Sequence, residues 1–177
     1  MVGFFLGMFL VFGELGAQEK ITSQYQNGVE KFYGIDADQL APEEWQANWI
    51  WMNGQSSAIN EIMLARTSFE LEALPDSGML YVSGDKFYRL WINGKYINRG
   101  PARCDAHHQA FDIMDVRNVL KVGKNVIAAK VHHRGLDMTS YHNNPKPGLL
   151  LQLELNTGSE KRIIKSDESW KVSPEWA

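Results

Sequence analysis

The chain has a single cysteine, Cys104, so no internal disulfide can hold it together. One thiol also does not separate an oxidising compartment from a reducing one. The 6 prolines and 15 glycines follow no period, which excludes a collagen-like repeat. Basic excess is missing: 18 Lys and Arg stand against 21 Asp and Glu, a formal net charge of −3. Nucleic acid is therefore not an expected partner, because phosphate backbones are held by basic surfaces. There is no Gly-rich phosphate loop and no Gly-x-Ser-x-Gly nucleophile elbow. A membrane-spanning helix needs about 20 apolar residues. The uncharged opening from Met1 to Gly13 is too short, and Glu14 ends it.

What is present is ordinary globular usage, 44% apolar and 22% charged, over 177 residues. That length suits one domain of roughly 100–150 residues with extensions. The 6 Trp, 6 Tyr and 8 Phe are many for this size; such rings fill cores and also stack on flat ligand surfaces such as sugars.

Residues 1–17 read as a signal peptide, with Gly16 and Ala17 before Gln18-Glu19-Lys20 as the cleavage site, and predict a secreted or periplasmic protein. Two features depart from that pattern: no Lys or Arg precedes the apolar run, and Leu15 stands where a small residue is preferred. The alternative for this run is a buried N-terminal strand or helix. Residues 18–44 are polar and irregular and read as a linker and extension, with one helical turn between Asp36 and Glu44.

From residue 45 to 177 a period of two dominates, which is the strand signal. Strands are expected at Trp49–Met52, Glu61–Leu71, Met79–Val82, Phe87–Ile92, Lys95–Ile97, Gln109–Ile113, Asn125–Val131, Leu149–Leu155, Arg162–Ile164 and Trp170–Val172. Asn93-Gly94 is the strongest local signal, because both central positions of a type I′ hairpin turn need positive φ. Asp115 is expected to cap one helical turn through Leu120, closed by Gly123. Short strands with turn chemistry between them predict an all-β fold, an antiparallel β-sandwich of the jelly-roll or galactose-binding-like type. Trp176, a large ring near the last residue, leads to the expectation that a further domain follows.

Trp45-Gln-Ala-Asn-Trp49-Ile-Trp51, Ala65-Arg66-Thr67-Ser68-Phe69, and Tyr88-Arg89-Leu90-Trp91-Ile92-Asn93-Gly94-Lys95 followed by Arg99-Gly100-Pro101 resemble the N-terminal β-sandwich of bacterial α-L-rhamnosidases. Phe111-Asp112 with Asp115, Leu120 to Ala128, and Asp167-Glu168-Ser169-Trp170 continue the same order. The resemblance implies a parent that hydrolyses terminal rhamnosides by inversion in a separate α/α barrel, C-terminal to this segment. It implies that this chain is an accessory domain leaning on that catalytic domain, with no catalytic residue and no cofactor of its own.

The residues themselves agree. Inverting glycosidases need two carboxyl groups roughly 6.5–9.5 Å apart. Glu43-Glu44, Glu70 with Glu72, and Asp112 with Asp115 read instead as a solvated face, an edge strand and a cap. His107, His108, His132, His133 and His142 cluster along the chain, but neighbours in a strand point to opposite faces, and no spacing matches a zinc signature. They read as polar loop residues at one rim, and no metal is expected. That rim, built from 103–109 and 132–144, is the expected binding surface. Arg103, Asp105, His108, Arg134, Asp137 and Tyr141 have the chemistry to hold sugar hydroxyls, and equally to pack against a neighbouring domain. Trp49, Trp51 and Trp91 read as core or inter-domain rings. An independent carbohydrate-binding module is the alternative function.

Overall fold

The computed structural model describes residues 8–11, 42, 44–52, 59–102, 108–135 and 147–175. The strands are β1 (Met8–Val11), β2 (Glu61–Leu71), β3 (Ser77–Gly84), β4 (Phe87–Ile92), β5 (Lys95–Gly100), β6 (His108–Asp115), β7 (Gly123–His133), β8 (Leu149–Thr157), β9 (Glu160–Lys165) and β10 (Lys171–Pro174). They form two five-stranded antiparallel sheets, in the orders β1-β6-β3-β8-β9 and β10-β2-β7-β4-β5. The expected β-sandwich is what the chain folds into, and β7, expected from its apolar run, is the middle strand of the second sheet. Between the sheets lie Met63, Leu80, Val82, Leu90, Ile92, Ile127, Val131, Leu151 and Leu153, all fully buried.

The Asn93-Gly94 hairpin forms as expected, with φ of 52° and 79°. Asn93 also ties the turn to its surroundings. Its side-chain amide donates to Val119 O at 2.9 Å and Asn125 Oδ1 at 2.8 Å, and its Oδ1 accepts the Val126 N–H at 3.0 Å. Asn125, fully buried, donates in turn to Lys121 O and Gly123 O. Amide side chains thus stand in for missing ladder bonds at this end of the sandwich.

Two local expectations are corrected. Trp49–Met52 is not a strand: Ile50 makes one isolated pairing, with Leu149. Its backbone is shared between two neighbours, since Asn48 N–H donates to Ser166 O at 2.8 Å while Ile50 exchanges both bonds with Leu149, so no ladder with either continues. The turn after Asp115 is a 3₁₀ turn, Arg117–Val119, whose cap position is Val116. Asp115 Oδ1 does accept the Arg117 N–H at 2.9 Å, but Gly123, at φ 84°, opens β7 instead of closing a helix.

Of the expected leader, Met8–Val11 pair with β6; the rest of residues 1–17 lies outside the described residues, as does the expected turn before Glu44 apart from Pro42. No helix among the described residues is long and apolar enough to cross a membrane.

Candidate functional site

The registers bring one set of strand ends together. Gly84 at the end of β3 pairs with Leu149 at the start of β8, and Glu61 at the start of β2 pairs with His133 at the end of β7. Phe87 at the start of β4 pairs with His132, and Tyr88 with Gly100 at the end of β5. Both segments proposed as a binding rim, 103–109 and 132–144, therefore leave the sheets at the same end. Arg103, Asp105, Asp137 and Tyr141 lie outside the described residues. His108 is placed by its backbone, opposite Val11. Arg134 is exposed just beyond β7, its carbonyl accepting the Asn60 N–H at 3.0 Å.

The buried chemistry at this end was not singled out from the sequence. His133 Nδ1 lies 2.5 Å from Asp85 Oδ2, with side chains only 3% and 0% exposed. Asp85 sits in the β3–β4 turn beside Lys86, which is also buried, and its backbone N–H donates to Gly148 O at 3.0 Å. Burial pushes the Asp85 carboxyl up from its usual range, against the lowering effect of His133 and Lys86. Its other oxygen has no hydrogen-bond partner among the described residues. The Trp51 ring meets the imidazole edge-on at 6.0 Å.

His133 is thus a core residue, which corrects its reading as a polar loop side chain: it falls on the inward-facing parity of β7. Its neighbour His132 faces out, stacks on Phe87 at 6.2 Å and bonds Asn60 Oδ1 at 2.7 Å. Burial first, then Arg134, His133 and Lys130, lowers the His132 pKa. The opposite-face expectation for adjacent histidines holds here. No local pattern announces the Asp85–His133 pair, because its partners lie 48 residues apart. Both side chains are buried, so neither is presented to solvent.

The second feature is a cleft at the β9–β10 edge, about 660 Å³, lined by Asn48, Trp49, Trp51, Lys165, Glu168 and Trp170 among others. Trp170 is buried and its indole N–H donates to Lys165 O at 2.8 Å, which fixes the back wall. Trp49 and Trp51 alternate with the core residues Ile50 and Met52, so both rings stay half-buried on one side of the extended segment. Asp167, on the same loop, accepts the Ser169 N–H and hydroxyl. The cleft offers aromatic faces ringed by amide, carboxylate and ammonium groups. It suits a flat apolar partner surface with polar edges.

A family described as the alpha-L-rhamnosidase N-terminal domain matches residues 74–175. The curated alpha-L-rhamnosidase of Alteromonas sp. (strain LOR) is 22% identical over 174 residues, covering 88% of this chain and 18% of its own length. The GH78 family rhamnosidase of Bacillus sp. GL1 superposes with a TM-score of 0.67 and 30% identity, over 73% of this chain and 13% of that one. A Pleurotus ostreatus lectin shares the fold, with a TM-score of 0.54 and 18% identity over 73% of this chain and 35% of its own. The chain therefore spans only a small part of the rhamnosidases it matches.

Proposed function

The chain belongs to the alpha-L-rhamnosidase N-terminal domain family, and from that premise we propose that it is the non-catalytic accessory β-sandwich of an exported α-L-rhamnosidase-like glycoside hydrolase, packed against that enzyme's catalytic part. The observation that carries this reading is the tryptophan-lined cleft. Half-exposed Trp49 and Trp51 line this cleft together with Val172 of β10. Indole rings with a polar rim are characteristic of protein interfaces. Inter-domain contacts within one chain have the same make-up. On this reading the rim residues Arg103, Asp105, His108, Arg134, Asp137 and Tyr141 contact the catalytic part or its substrate. Residues 1–17 direct export.

The test is direct. Purified residues 18–177 should show no turnover of an aryl α-L-rhamnoside, and measurable turnover would overturn the accessory role. The second reading, a free-standing carbohydrate-binding module, draws on the rim residues and on the lectin-like fold. It predicts calorimetric heat with rhamnose-rich glycans, lost in Tyr141→Ala or Arg134→Ala. A flat titration leaves the accessory role.

A further inference from the structure

The outer face of the second sheet carries cations in register. Lys130 on β7 lies opposite Arg89 on β4, and Arg89 lies opposite Arg99 on β5. Side chains directly opposite on antiparallel strands have Cβ atoms about 5 Å apart, and like charges in that position repel. Lys130 is relieved by an ion pair with Glu175. Among the described residues neither Arg89 nor Arg99 has an ion pair, and both are exposed. Such a row is unfavourable in the empty domain and becomes favourable when an anion lies across it.

The neighbouring row supplies a wall of a different kind. Ile62, His132 and Phe87 are in register on β2, β7 and β4, and the Phe87 and His132 rings stack with 27° between their planes. With Gly100 and Pro101 these residues enclose an open cleft of about 630 Å³. Its size is that of a small-ligand site. It shares no lining residue with the tryptophan cleft.

We propose that this cleft binds a glycan residue bearing a carboxylate or sulfate group, with the anion held between Arg89 and Arg99 and the apolar face of the sugar ring against Phe87 and Ile62. The choice of a glycan rests on the reading of the chain as part of a glycan-degrading enzyme. Three aligned cations on a chain of net charge −3 are too few to track a polyphosphate backbone.

The experiment is calorimetric titration of the 177-residue chain at low salt with tri-galacturonate, a sulfated trisaccharide, a neutral trisaccharide, poly-L-glutamate and sodium sulfate. Binding of either anionic sugar, at least about tenfold tighter than the neutral one and weakened about tenfold by Arg89→Gln or Arg99→Gln, is the expected result. The carboxylate and sulfate arms separate the two anion types. Equal binding of the neutral sugar, equal binding of poly-L-glutamate, sulfate alone accounting for the signal, or no heat would each overturn the proposal. Both arginines are exposed, and unchanged melting of the variants confirms that the fold is intact. Trp49→Ala should leave this binding unaltered. Turnover of an aryl rhamnoside by the chain would remove the accessory role without touching this site, and a silent titration would remove this site without touching that role.

Discussion

The outer faces of the two sheets have opposite fates. On the β1–β9 sheet the chain covers itself. Trp45 sets its ring edge-on against Tyr81 at 6.1 Å and Phe111 at 5.5 Å. Gln152 accepts the Gln46 N–H at 2.8 Å and donates to Glu44 O and Glu154 Oε1 at 2.9 Å. Leu150, Gln152 and Glu154 are buried although they point away from the sandwich core. On the β10–β5 sheet the equivalent positions stay open: Leu64, Phe87 and Tyr96 are exposed, interleaved with Arg66, Arg89, Arg99 and Lys171. The first sheet is buried on both sides at β3 and β8, and the second on one side only. That is why β8 is buried at nearly every position while burial along β2, β4 and β7 alternates.

The sharpest way to break this contrast is to place a charge on each outer face. Leu150→Asp should cost several kcal/mol, or abolish folding, because the carboxylate is buried without a partner. Leu64→Asp, 37% exposed, should stay within about 0.5 kcal/mol of the parent in urea unfolding. Equal costs would mean the faces are not different. A smaller effect is expected of Gln152→Ala. It strands the Gln46 N–H and costs about 1–3 kcal/mol by the same measurement, with Trp45 fluorescence shifting as the covering segment loosens.

On the open sheet, Gly94→Val should cost of order 1 kcal/mol or more. Open space surrounds a Cβ there, so the loss is backbone strain at φ 79° and not a clash. A thermal melt unchanged by the substitution would show that the hairpin tolerates another turn.

The subtlest effect concerns the link between the sheets. The Tyr88 hydroxyl donates to Asp112 Oδ2 and accepts from Asn98 Nδ2 at 3.0 Å. Burial raises the Asp112 pKa, with the Tyr88 hydrogen bond opposing, and burial raises that of Tyr88 too. A raised carboxyl favours the folded state most below the unfolded value of about 3.9 and loses that contribution as pH rises through the folded value. The Tm of the parent relative to Asp112→Asn should therefore fall as pH is raised from about 4 toward neutrality. A parent Tm that stays level with, or rises relative to, the variant's with pH would place a readily ionised Asp112 at this link.

Much of the fold was legible because it is written locally. Alternation marked β2, an apolar run marked β7, and Asn93-Gly94 marked its own hairpin. Trp49–Met52 misled because an apolar stretch does not state which neighbour will take its backbone bonds. The site was less legible. Arg134 and His133 lie at one end of the sandwich, but the Asp85–His133 pair joins a turn to a strand end, and the Lys130, Arg89 and Arg99 row joins three strands. Neither leaves a trace at any single spacing.

By itself, the sequence determined where strands run, where they turn and which side of most of them faces inward, since φ preferences and period-two burial act within a few residues. Only the tertiary structure decided that residues 44–50 cover one sheet and leave the other bare, that a buried carboxylate meets an imidazole, and that three cations stand abreast. Those outcomes depend on which strand lies beside which, and pairing between distant segments is fixed by the packing of the whole chain.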